Sequence, residues 1–172
     1  MEIHLFIVVF VIFSSFSSFA LASGQLSPML NGTVQSGNIT APSQSDNVTG
    51  TSQQGTSQPD NLIGTTGDDF IFGGAGFDNI TGNEGNDEID GGVGGDKLAG
   101  GIGNDVIFGG IGNDNISGGD GNDDLFGGPG ADYLDGGKGA DYFDCGTSTD
   151  TIANLNVSEG DISLPNCEKV AR

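Results

Sequence analysis

GGIGNDVIFGGIGNDNIS, residues 100–117, is one nine-residue phrase stated twice: two glycines, any residue, a glycine, any residue, an aspartate, then a short tail with one isoleucine in it. Outward in both directions the frame holds without insertion or deletion from Gly64 to Asp144: GTTGDDFIF, GGAGFDNIT, GNEGNDEID, GGVGGDKLA, GGIGNDVIF, GGIGNDNIS, GGDGNDDLF, GGPGADYLD and GGKGADYFD. Position six is Asp in all nine copies (Asp69, Asp78, Asp87, Asp96, Asp105, Asp114, Asp123, Asp132 and Asp141), and position eight is always Ile, Leu or Phe. GTSQPDNLI from Gly55 and CGTSTDTIA from Cys145 keep Asp at six and an aliphatic at eight. Such degenerate flanking copies are what the ends of a stacked array look like, since an end copy lacks a neighbour on one side.

Glycines at one, two and four suit a tight turn through backbone conformations that a Cβ disfavours. The three residues left over suffice only for a short strand. Side chains alternate along a strand, so position eight faces inward while seven and nine face out. Two repeats then make one coil, turn-strand-turn-strand, and parallel strands stack from every second repeat. The expected fold is all-β, a parallel β-roll or solenoid of glycine- and aspartate-rich nonapeptides. Its inner ladder is Ile71, Ile80, Ile89, Leu98, Ile107, Ile116, Leu125, Leu134 and Phe143.

One apolar residue in nine is a thin core. The 172-residue chain holds 33 glycines, no tryptophan, and 24 acidic against 4 basic residues, a balance that normally signals disorder because too little apolar surface can be buried to offset chain entropy. Residues 64–144 alone carry 17 acids against Lys97 and Lys138, so the wound coil adds self-repulsion to the deficit. The charge has the wrong sign for nucleic acid, which needs clustered Lys and Arg. Folding requires a bound cation. Calcium fits best, because it accepts six to eight carboxylate and carbonyl oxygens in a tolerant geometry, whereas magnesium demands a near-ideal octahedron. Zinc prefers His or Cys, and the single histidine, His4, lies in the leader.

Leu5–Phe13 (LFIVVFVIF) is an unbroken apolar run followed by a Ser/Phe tract ending at Ala20-Leu21-Ala22. Residues 1–22 read as a secretory signal peptide, although the first four residues carry no Lys or Arg; a retained N-terminal anchor is the alternative. Residues 23–54, rich in Ser, Thr, Gln, Asn and Gly, read as a disordered linker. The roll is assigned to 55–153, with regular repeats over 64–144, and a C-terminal cap to 154–172. The linker carries three N-glycosylation triplets, at Asn31, Asn38 and Asn47, and the repeats carry Asn79-Ile80-Thr81 and Asn115-Ile116-Ser117.

The phrase GGxGxDxUx, with U a large aliphatic residue, resembles the repeat-in-toxin family, also called hemolysin-type calcium-binding repeats. The resemblance covers about half the chain. It implies a parallel β-roll in which each calcium ion sits between the turn of one repeat and that of the repeat after next, held by position-six aspartates and turn carbonyls. Carried over here, Asp78 with Asp96, Asp87 with Asp105, Asp96 with Asp114, and Asp105 with Asp123 would share ions. Thr65 and Asn83 replace the second glycine, and Cys145 and Ser148 replace glycines one and four. Those departures put the sites beside Asp69 and Asp150 in doubt.

Sorting alternate repeats onto two sheets gives the outward positions unequal character. One sheet shows Phe70, Phe72, Glu88, Asp90, Val106, Phe108, Asp124, Phe126, Tyr142 and Asp144; the other shows Asn79, Thr81, Lys97, Ala99, Asn115, Ser117, Tyr133 and Asp135. The aromatic sheet, through Phe70, Phe72, Phe108 and Phe126, is a candidate surface for self-association or a cell-surface partner. Cys145 and Cys167, the only cysteines, are expected to pair in an exported chain, and Thr151–Leu155 and Asp161–Leu164 are expected to be short strands about a turn at Ser158–Gly160. No catalytic constellation is visible. The expectation is a secreted or surface-attached calcium-folded structural or adhesive module, not an enzyme; the alternatives are a calcium-dependent sugar- or ice-binding adhesin and a passive calcium buffer. An adhesin of that kind would need a regular polar ladder on one edge, and position three, taken in chain order, shows none.

Overall fold

The computed structural model describes residues 34–36, 50–167 and 169–170. The proposed leader, most of the proposed linker and the triplets at Asn31, Asn38 and Asn47 lie outside the described residues. Fifteen strands follow in order: β1 (Val34–Ser36), β2 (Ser52–Gln54), β3 (Asn61–Ile63), β4 (Phe70–Ala75), β5 (Asn79–Glu84), β6 (Glu88–Val93), β7 (Lys97–Ile102), β8 (Val106–Ile111), β9 (Asn115–Asp120), β10 (Asp124–Phe126), β11 (Tyr133–Lys138), β12 (Tyr142–Asp144), β13 (Thr151–Ile152), β14 (Ile162–Ser163) and β15 (Lys169–Val170). Even-numbered strands, with β1 at one edge, form an eight-stranded sheet; β3 and the later odd-numbered strands form a seven-stranded one. Every pairing is parallel, and there is no helix among the described residues. The chain winds a β-solenoid of about six turns.

The winding follows from the period. Pairing joins residues 18 apart, such as Ile71 with Ile89, Ile89 with Ile107 and Ile107 with Leu125 on one sheet, and Ile80 with Leu98 and Leu98 with Ile116 on the other. All nine ladder residues are buried, and Leu62 and Ile152 extend the ladder into the flanking copies. Full burial of each such side chain contributes roughly 1.5–3 kcal/mol. On the even-numbered sheet the ladder ends in polar residues: Gln53 stands in register with Ile71, and Ser163 with Phe143. Gln53 is buried, and its Nε2 donates to the Ile63 carbonyl at 2.6 Å.

Three details differ from the sequence reading. Most central strands run six residues, not three, because pairing continues through positions one to three of the next repeat. The corner is made inside the strand, at the second glycine: Gly110 has φ +103°, while still in register with Gly92. Asn83 takes the same place at φ +85°, which asparagine tolerates better than other side chains. Secondly, Ser52–Gln54 pairs with Phe70–Phe72 and Val34–Ser36 pairs with Ser52–Gln54, so sheet pairing enters the stretch read as linker. Thirdly, the strands of the segment read as a cap join the two sheets. They continue the winding, β14 on β12 and β15 on β13, and a two-residue insertion at the turn Val157–Gly160 raises the spacing between Tyr142 and its partner Ile162 to twenty. The Cys145–Cys167 disulfide ties this coil to the one before it.

Candidate metal centre

Each turn aims its position-six aspartate inward. These side chains are buried from Asp60 to Asp161, an unusual place for a carboxylate unless it is paired or bound to a metal. One oxygen of each is used by the neighbouring coil. The backbone N–H of Asp87 donates to Oδ1 of Asp105, that of Asp96 to Asp114 and that of Asp78 to Asp96, each at 2.8 Å. From Asp78 to Asp150 the other oxygen is orphaned. Oδ2 of Asp78, Asp87, Asp96, Asp105, Asp114, Asp123, Asp132, Asp141 and Asp150 is buried without a hydrogen-bond partner, and a buried polar atom left unpaired is expensive.

Position-one glycines make room for that oxygen. A Cβ placed on Gly91 would lie 2.7 Å from Asp96 Oδ2 and 2.6 Å from the Gly109 carbonyl oxygen, so any side chain there would displace both. At position four the carbonyl oxygens of Gly94 and Gly112 accept no backbone hydrogen bond. Each such turn therefore contains both an unpaired carboxylate oxygen and main-chain carbonyls without backbone partners, all hard donors.

The electrostatics agree. Burial, only partly offset by the N–H of Asp69, pushes the Asp87 carboxyl up to about 7, with Asp105 and Asp69 adding repulsion. Asp123 is likewise raised to about 7, and Asp96 and Asp132 to about 6, in each case chiefly by burial. Burial also raises Asp78, Asp105, Asp114 and Asp141. Without a cation these acids resist ionising. A divalent ion removes that resistance.

Among the described residues no three His, Cys, Asp or Glu side chains converge. Carbonyls must supply most of the ligands, which favours calcium.

The aspartates named from sequence all occupy equivalent places, but they are not chemically alike. Asp69 is satisfied by the chain itself: Thr51 donates to Oδ1 from both its N–H and its hydroxyl, and the Thr65 N–H donates to Oδ2 at 2.6 Å. Asp69 therefore lacks the orphaned oxygen that marks the others. The substitution of Thr65 for glycine was visible in sequence; the contribution of Thr51, eighteen residues upstream, needed the winding. Asp150, doubted because its turn is degenerate, keeps the pattern: the Asp132 N–H donates to its Oδ1 at 2.8 Å and its Oδ2 is orphaned. Ser148 meets the turn's demand by adopting φ +107°.

The outer faces are as sorted above. On the even-numbered sheet, Phe108 and Phe126 stack with ring centroids 4.8 Å apart, and Phe126 meets Tyr142 at 6.0 Å. Phe70 and Phe72 stand apart from that row, separated by Glu88 and Asp90 on β6. Position three, uninformative in chain order, becomes legible when divided between the two edges: Ala75, Val93 and Ile111 stack along one, and Glu84, Ile102, Asp120 and Lys138 along the other.

A parallel roll with a regular file of buried, half-paired aspartates defines a repeat protein built to be completed by metal. The family model described as RTX calcium-binding nonapeptide repeat matches the chain at residues 54–89, 63–98, 90–125 and 117–152. The chain belongs to that family, and calcium binding in a β-roll is its property here. No curated protein matches the chain.

Proposed function

We propose that this protein is a calcium-folded extracellular module whose ligand file runs from Asp78 to Asp150 and omits Asp69. The observation that carries the reading is the set of nine buried Oδ2 atoms without partners, one per nonapeptide from Asp78 to Asp150. Asp78, Asp87, Asp96, Asp105, Asp114, Asp123, Asp132, Asp141 and Asp150 would hold the ions together with turn carbonyls. Bound calcium supplies positive charge to a stack of carboxylates that otherwise repel. The chain's own residues do the rest: glycines admit the carbonyls, and each carboxylate of the file is oriented by the N–H of the aspartate eighteen residues before it.

Extracellular calcium modules bind in the region of ~10⁻⁴ to 10⁻³ M, so the chain stays unwound before export and winds outside. The sheet that carries the row Phe108, Phe126 and Tyr142, and Phe70 and Phe72 beyond Glu88 and Asp90, is the face through which the module meets a second copy or a cell-surface partner. The protein is a structural or adhesive element, not an enzyme: its carboxylates are committed to metal. Position three carries no regular polar ladder. At position five, however, Asp68, Asn86, Asn104 and Asn122 form an exposed one, each side-chain oxygen accepting the N–H of the next coil. That ladder keeps a sugar- or ice-binding adhesin as the second reading.

The test is far-UV circular dichroism of the full chain titrated with calcium and, separately, with magnesium. A cooperative, chelator-reversible gain of β signal in calcium alone supports the reading. A spectrum unchanged by calcium overturns it.

A further inference from the structure

Six Asn-x-Ser/Thr triplets occur in the chain, at Asn31, Asn38, Asn47, Asn79, Asn115 and Asn156, and two of them fall within the strands. In Asn79-Ile80-Thr81 and Asn115-Ile116-Ser117 the asparagine is position seven and the hydroxyl residue position nine. Strand alternation puts both on the outer face, with the isoleucine between them buried. Asn79 on β5 and Asn115 on β9 are exposed, and only β7 lies between their strands. They stand two strand spacings apart, about 10 Å. The opposite sheet has Phe70, Glu88, Val106, Asp124 and Tyr142 at the same positions. Within the strands, acceptor asparagines are thus confined to one face; Asn156 lies between β13 and β14, on neither.

We infer that Asn79 and Asn115 are N-glycosylation sites, and that their sugars cover the odd-numbered sheet and leave the aromatic sheet bare. In the transfer, Asn Nδ2 forms a bond to the anomeric carbon of an oligosaccharide carried on a lipid diphosphate. The anomeric carbon–oxygen bond breaks, the lipid diphosphate leaves with its electron pair, and the displaced amide proton passes to a base of the transferase. The reaction occurs on the unwound chain, where a strand residue is accessible. The wound roll tolerates the product because neither side chain points inward. Nδ2 of Asn79 donates to Asn61 Oδ1 at 2.6 Å, and a glycosylated amide retains one N–H with which to keep that bond.

This inference rests on the proposed export of the chain, and the triplets at Asn31, Asn38 and Asn47 serve as the control for it. The full chain with its own leader is expressed in a secretory host that carries an oligosaccharyltransferase, and the protein is treated with a glycan-removing amidase in heavy-oxygen water, so that each occupied Asn is read by mass as a labelled Asp. Label at Asn79 and Asn115, with the gel mobility shift reduced by one step in N79Q or N115Q and by two in the double variant, is the expected result. Label at Asn31, Asn38 or Asn47 with bare Asn79 and Asn115 overturns the inference and leaves export standing. Absence of label at every triplet overturns both.

Discussion

The ends and the middle of the roll use the same aspartate to opposite effect. At the N-terminal end Asp69 is saturated by Thr51 and Thr65, and Asp60 Oδ2 accepts the N–H and hydroxyl of Thr56. At the C-terminal end Asp161 accepts the Asp141 N–H on Oδ1 and the Asn156 N–H on Oδ2. Between them, each carboxylate from Asp78 to Asp150 has one oxygen tied to the preceding coil and one without a partner. The ends close on the chain's own donors; the middle depends on something from outside. A repeat protein can thus define where its metal file stops by placing a threonine or a shifted amide where a glycine would stand.

The largest expected effect tests that dependence directly. Removal of calcium by a chelator should abolish the β signal of the whole roll, with magnesium failing to restore it; retention of the wound state without metal would mean that the orphaned oxygens are tolerable. Next in size is loss of the Cys145–Cys167 bridge. Its cysteines are 22 residues apart, and closure of such a loop contributes about 3 kcal/mol by chain entropy. C145S with C167S should lower the thermal midpoint in saturating calcium and increase amide exchange first at β13 and β14, leaving the number of bound ions unchanged.

A smaller effect distinguishes middle from end at single residues. Asp105→Ala removes an acceptor for the Asp87 N–H and a proposed ligand, and should cost roughly 1.5–3 kcal/mol, move the calcium midpoint to higher concentration and lower the ion count by calorimetry. Asp69→Ala should leave the ion count as it was. An equal loss of ions from the two variants would erase the proposed difference.

The smallest and most gradual effect is that of pH. Carboxyls at about 7 for Asp87 and Asp123, and at about 6 for Asp96 and Asp132, lie above the ordinary value of 3.8. Since the folded values are raised, the metal-free roll gains stability from protonation below that ordinary value and loses it as pH rises through 6 to 7. Calcium binding runs the other way: its apparent affinity should climb across the same window, with protons released on binding, as pH-dependent titration calorimetry would detect. A flat profile between pH 5 and 8 would place these aspartates outside the metal sites.

Much of this was legible beforehand because a strict period leaves little freedom. A fixed Asp at six and an aliphatic at eight give the parallel stack, the eighteen-residue register and the sorting of Phe108 and Asn115 onto opposite faces. What escaped was what depends on contacts between coils. Thr51 lies eighteen residues from Asp69, in a stretch with no repeat signature, so its capping role has no local signal. Asp150 sits in a turn stripped of two glycines, yet Ser148 reaches the required conformation and the pattern survives. The six-residue strand escaped too, because a glycine at positive φ marks a turn in isolation and, in this stack, remains paired with the coil beside it.

The eighteen-residue register also limits how such a chain can change length in evolution. The unit of the sequence is nine residues, but the unit of the structure is a pair. Loss or gain of eighteen residues removes or adds a complete coil and preserves every downstream assignment. A nine-residue deletion ahead of Val106 would keep each inward Ile inward and each Asp in a turn, so that folding and metal binding survive. It would nevertheless carry Phe108, Phe126 and Tyr142 to the opposite sheet, away from Phe70 and Phe72, and bring Asn115 onto theirs. Homologues that retain a common outer face should therefore differ in repeat number by even counts.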